Sequence, residues 1–204
     1  MRWSKNKLIA LKLRNGKYSL IQLLERKGYI IVYNLFQNTP IFENIILSKE
    51  LILFKTFVIH KEFLRLSEIE VVKSITPLSV VYPSFPSKLI NRGSGFRKIK
   101  LWQHTENEVE IGFTGIGNNL LANVIEPGNT EYSSIKIEEY ELYKEYELES
   151  LRSYPELNER ILLCSELGYN FDPVKELAFN RELDIICKTY IDIISQKKKV
   201  DFYY

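Results

Sequence analysis

The 204-residue chain is expected to fold as an α+β protein that is mainly β, a strongly curved antiparallel sheet or barrel with two C-terminal helices. Three observations lead there. Residues 8–36, "LIALKLRNGKYSLIQLLERKGYIIVYNLF", hold three strand-like runs around two turn signals. Further short apolar runs follow, separated by clusters of Gly, Pro, Asn and Ser. Beyond about residue 143 the apolar period changes from that of a strand to that of a helix. The expected organisation is an antiparallel β domain over residues 1–143 and a helical tail, 144–204, packed on it.

Asn15-Gly16 is the strongest hairpin signal, because both residues tolerate the positive φ of a two-residue type I′ turn. That loop length sets Leu13 opposite Tyr18, Leu11 opposite Leu20 and Ile9 opposite Gln22, with Arg14 and Lys17 adding positive charge at the tip. "ERKG" turns the chain again into "YIIVYNLF". The meander is apolar on both faces, which requires a barrel or a sheet covered by helices. "LILFKTFVI" (51–59) is the next strong strand, ending at His60. "IEVV", "LSVVY", "KIKLWQ", "EVEIGF" and "SIKIEEYEL" continue the series. "YPELNERILLCSELG" then reads as a helix with Pro155 in its first turn and Gly168 as its stop. In "FDPVKELAFNRELDIICKTYIDIISQ", Asp172 is the expected N-cap and Pro173 the first helical residue. Phe179, Leu183, Ile186, Tyr190 and Ile193 form a helical stripe suited to packing on the sheet.

The net charge of +2 conceals a split: residues 1–100 carry 18 Lys and Arg against 6 Asp and Glu, whereas residues 101–204 carry 10 against 20. Such asymmetry points to electrostatic partnering, within the chain or with another molecule. The opening residues lack the apolar core of a signal peptide, and Arg181, Lys188 and Asp192 interrupt the C-terminal apolar stretch, so no membrane partner is expected. Cys164 and Cys187 read as buried small hydrophobes, and the expected compartment is the cytoplasm.

Residue types for catalysis are sparse. His60 and His104 sit in no nucleophile, zinc or phosphate motif, and "GFTGIGNN" lacks the spacing of a dinucleotide loop. No catalytic, cofactor-binding or metal-binding residue is expected, and no cofactor. "RGSGFRKIKLWQ" mixes Arg92, Arg97, Lys98 and Lys100 with Phe96 and Trp102, the ingredients for stacking single-stranded nucleic acid over a basic groove.

The residues of the opening meander carry a resemblance. Gly16-Lys17-Tyr18 at the first turn, then Tyr33-Asn34-Leu35-Phe36, then Phe57-Val58 resemble an immunity-protein family of bacterial polymorphic toxin systems. The likeness covers about residues 7–60. Members often have Gly-Asp before the first strand and Gly-Arg in the second, where this chain has Asn6-Lys7 and Ile21-Gln22. The resemblance implies a protein without catalysis that binds and neutralises a cognate protein toxin. The alternative is a small β-barrel protein binding single-stranded nucleic acid through a basic, aromatic surface. The expected partner surface is the acidic run Glu138, Glu139, Glu141, Glu145, Glu147 and Glu149, interleaved with Tyr140, Tyr143 and Tyr146, with residues 138–146 at its centre. Tyrosines anchor interfaces, and carboxylates steer a basic partner.

Overall fold

The computed structural model describes residues 1–79, 88–91, 95–100, 108–113, 119–126 and 129–195. In chain order these form β1 (Leu8–Lys12), β2 (Tyr18–Leu23), β3 (Tyr29–Gln37), β4 (Ile52–Val58), α1 (His60–Leu66) and β5 (Ile69–Val72). Next come β6 (Lys88–Asn91), β7 (Gly95–Lys100), β8 (Glu108–Phe113), β9 (Asn119–Glu126), β10 (Asn129–Lys136), α2 (Tyr140–Tyr143) and β11 (Glu147–Leu148). The chain closes with β12 (Leu151–Arg152), α3 (Glu156–Leu167), α4 (Pro173–Ala178), a 3-10 turn (Ile185–Cys187) and α5 (Lys188–Ile194). The described residues divide into two compact units: 1–79 with 151–171, and those between 86 and 150 with 172–195.

The first unit is built on a six-stranded sheet in the order β12-β4-β3-β2-β1-β5. Its pairings are antiparallel except for β12, which lies parallel to β4. The sheet is open, with short strands at both edges, and is not closed into a barrel. Both faces are buried, as the apolar meander requires. Ile9, Leu11, Leu13, Ile21 and Leu23 pack under Trp3, Phe63 of α1, and Leu157, Ile161 and Leu162 of α3. On the other face Leu8, Ala10, Leu20, Ile31 and Tyr33 meet Phe42 and Leu47 from the loop before β4. Each fully buried Ile or Leu contributes roughly 1.5–3 kcal/mol relative to exposure.

The first hairpin differs from expectation by one residue. Lys12 lies opposite Tyr18, Ala10 opposite Leu20 and Leu8 opposite Gln22. The loop is Arg14-Asn15-Gly16, closed by Leu13 N–H donating to Lys17 O at 2.7 Å and Gly16 N–H donating to Leu13 O at 2.9 Å. Gly16 alone of the three has positive φ, +83°, so the turn is the three-residue kind with a terminal left-handed glycine. Asn15 serves it through its side chain, whose Oδ1 accepts from Lys17 N–H at 3.1 Å. The longer loop carries every β2 side chain to the opposite face from that expected, so Ile21 and Leu23, not Leu20, join Ile9 and Leu11. Arg14 adds no free charge to the tip, because it forms a two-pronged ion pair with buried Glu159 of α3 at 3.0 and 3.2 Å, while Lys17 is exposed there.

The second unit contains a four-stranded sheet, β10-β9-β6-β11, and the β7-β8 ribbon. β6 and β9 are strands absent from the sequence reading. In "SIKIEEYEL" the strand stops at Lys136 and the chain turns into the single helical turn α2. Val80, Val81 and Tyr82 of "LSVVY", together with Trp102 and His104, lie outside the described residues.

The helix caps follow expectation. Gly168 ends α3 with φ +78°, and Asp172 Oδ1 accepts from Lys175 N–H at 3.2 Å ahead of Pro173. The expected second long helix, however, is broken into α4, the 3-10 turn and α5. Asn180 takes φ +58°, and Arg181 N–H returns to Glu176 O at 2.9 Å, a left-handed C-terminal stop that asparagine tolerates. Asp184 then restarts the chain by accepting from Ile186 N–H at 3.1 Å. The break scatters the apolar stripe: Phe179, Tyr190 and Ile193 are buried, but Ile186 is 45% exposed.

Candidate functional site

The acidic run is set between β10 and β11, with α2 at its centre. Its tyrosines face inward. Tyr143 is fully buried; its hydroxyl donates to Ile137 O at 2.7 Å, and its ring stands edge-on to Phe179. Tyr140 is half-buried, donates to Glu176 Oε1 at 2.9 Å, and carries the Arg181 guanidinium 3.6 Å over its ring. Burial first, then the Glu176 carboxylate, holds the Tyr140 hydroxyl above the usual phenol range, so it stays a donor. Tyr146 is half-buried, and its carbonyl and that of Lys144 accept from the buried Lys175 ammonium at 3.1 and 2.5 Å. These bonds fix the segment from below.

The carboxylates face outward except Glu147, which β11 pairing buries to 7% exposure and so removes from the expected surface. Glu138, Glu139, Glu141 and Glu145 are exposed around Leu142, itself 59% exposed. Glu139 Oε2 also accepts from Lys136 N–H at 2.9 Å, which shapes the turn, and Glu141 pairs with Lys144 at 2.6 Å in a solvent-screened contact. The structure thus brings the four glutamates together on the surface and assigns Tyr140 and Tyr143 to support.

A second feature, in the first unit, escaped the sequence reading. His60 does not end a strand; it begins α1, half-buried and edge-on to Trp3 at 6.3 Å between ring centroids. Helical spacing sets His60 beside Leu64 and Lys61 beside Arg65 along one side of α1. Those four residues, with Arg2, Trp3 and Lys27, line a cleft of about 500 Å³. Two local devices assemble it. Trp3 Nε1 donates to Leu24 O at 2.9 Å, pinning the chain ahead of β1. Gly28, at φ +92°, lets the β2–β3 turn close on the end of β4: Val58 N–H donates to Gly28 O at 2.7 Å, and a Cβ on Gly28 would stand 2.9 Å from Val58 O.

Among the described residues no Asp or Glu lines this cleft, and Arg2, Lys27, Lys61 and Arg65 have no side-chain hydrogen bond or ion pair. The neighbouring carboxylates are engaged elsewhere. Glu25 pairs with Lys5 at 2.9 Å, and Glu62 accepts from Tyr154 N–H at 2.9 Å. Nothing in the sequence beyond the basic first half signals the grouping, because three separate segments supply it.

Among the described residues no cluster of His, Cys, Asp and Glu is placed to hold a metal ion, and no helix is long and apolar enough to cross a membrane. Fold and surface together define an α+β protein with an acidic ridge on one compact unit and a basic cleft on the other. The family model described as Domain of unknown function (DUF8309) matches residues 1–184, and the chain belongs to that family. No curated protein and no solved structure matches it.

Proposed function

We propose that this chain is an immunity protein that binds and neutralises a cognate protein toxin without catalysis. The observation that carries the reading is the surface of exposed Glu138, Glu139, Glu141 and Glu145 around exposed Leu142, held on buried Tyr143, half-buried Tyr140 and buried Lys175. A rigid acidic surface with an apolar centre attracts a basic partner from a distance and gives it something to bury on contact. The register shifts within the β2–β3 and β3–β4 pairs favour strong curvature of the six-stranded sheet, in keeping with the family resemblance of the opening meander.

The test is protection. Co-expressed with the toxin encoded beside its gene, the chain should restore growth. Glu141→Lys with Glu145→Lys should slow association and flatten its salt dependence, with melting temperature unchanged because both side chains are exposed. Undiminished binding by the folded double variant would sink the proposal. Single-stranded nucleic acid over residues 92–102 is less well supported. The β7-β8 backbone register sets Lys98 opposite Glu110 and Lys100 opposite Glu108, so the ribbon's sequence is not uniformly basic.

A further inference from the structure

We infer that the basic cleft of the first unit is a binding site for a small polyphosphorylated ligand, of which a nucleoside triphosphate is the type that fits. Four cations, Arg2, Lys27, Lys61 and Arg65, converge on one concavity of about 500 Å³ with no lining carboxylate among the described residues. Like charges gathered this way repel one another, and a compact polyanion relieves that repulsion. A single carboxylate carries too little charge to match four cations, whereas a di- or triphosphate carries several charges within the same space. Arginine forks meet phosphate oxygens in pairs, and lysines add point charge. The volume lies within the roughly 300–1,000 Å³ typical of small-ligand sites. Half-buried His60 and Leu64, backed by largely buried Trp3, give the cleft an apolar side beside the cations, suited to a base rather than to more phosphate. The cleft is also built in advance: the Trp3 bond to Leu24 O and the Val58 bond to Gly28 O tie two of its sides to the sheet.

Calorimetric titration of the full chain with inorganic pyrophosphate, and separately with ATP without added metal, should show saturable binding at millimolar concentration or below. Lys61→Glu with Arg65→Glu should weaken both by at least about tenfold. Lys73→Glu with Lys188→Glu changes net charge equally at exposed lysines that do not line the cleft, and should leave affinity within about twofold. Melting temperatures verify the fold of both. Should the cleft variant fail to fold, Lys27→Ala is the gentler substitution, expected to weaken binding several-fold. Absence of saturable binding, or equal loss in the two double variants, overturns the inference. A single-stranded oligonucleotide that binds through Lys61 and Arg65 more than about tenfold tighter than ATP also overturns it, since these cations would then track a nucleic-acid strand.

Discussion

At Gly16 and Gly28 the same residue type answers two different physical demands, and substitutions should separate them. Both have positive φ, but a Cβ at Gly16 meets open space, while one at Gly28 would press on the Val58 carbonyl at 2.9 Å. Gly16→Val should therefore cost only the left-handed strain of a branched residue, about 1–2 kcal/mol. Gly28→Ala must also push backbone aside, so its loss should exceed that of Gly16→Ala. Urea denaturation of the two alanine variants measures the order, and the reverse order would refute the close approach. Cys187 offers a chemical test at the same scale. Desolvation first, then Asp184 and Glu176, pushes its thiol up to about 11 from an ordinary 9. Native protein at neutral pH should resist thiol reagents at Cys187 and at buried Cys164, and both should label on unfolding. Because the folded value is raised, the stability this thiol contributes is present below about 9 and lost as pH rises toward 11. Melts across that window should fall less steeply in Cys187→Ala.

Among the elements, α2 and α4 show how a few buried groups hold an irregular segment. Lys175 projects from α4 and satisfies two carbonyls in the turn after α2. Lys175→Met keeps the apolar stem but leaves those carbonyls without that donor, at a cost of roughly 1–3 kcal/mol. Faster amide exchange at Tyr146, whose N–H closes the turn onto Tyr143 O, should accompany the loss. The elements that could be read from residues were those with local chemistry. Asp172-Pro173 marks a helix start, Gly168 a helix stop, and the apolar meander a sheet buried on both faces. Others depend on choices that residues 15–16 or 180 leave open. Asn-Gly suits both two- and three-residue loops, and one added residue inverts β2. Asn180 looks like an ordinary helical position until its left-handed φ ends α4. The Tyr-Glu alternation of 138–149 suggested outward tyrosines, yet packing against Phe179 and Arg181 turned Tyr140 and Tyr143 inward.

For the whole molecule, each compact unit combines segments far apart in the chain. In the first, Leu157, Ile161 and Leu162 cover a sheet face built from residues before 60, and Arg14 reaches Glu159 across 145 positions. A chain ended at residue 150 should bind hydrophobic dyes and fall to limited proteolysis, since it lacks β12 and α3. A cooperative melt like that of the full chain would contradict this account of the sheet's cover. The same long separations explain why the basic cleft could not be read from residues. Arg2, Lys27 and the Lys61–Arg65 pair share no local pattern, and only the fold brings them together.

The distance between sheet and cover also matters while the protein is being made. Ribosomes release β1 to β5 of the first unit well before α3, and about 80 residues at roughly 5–20 residues per second amount to roughly 4–16 s. Throughout that interval Ile9, Leu11, Ile21 and Val32 lack the cover that α3 supplies. Newborn chains are then vulnerable to sticking to one another, and a nascent-chain chaperone such as a ribosome-bound holdase has its obvious point of action there. Slower growth temperatures and added chaperone should raise soluble yield more for the parent than for a circular permutant in which residues 151–171 are translated first.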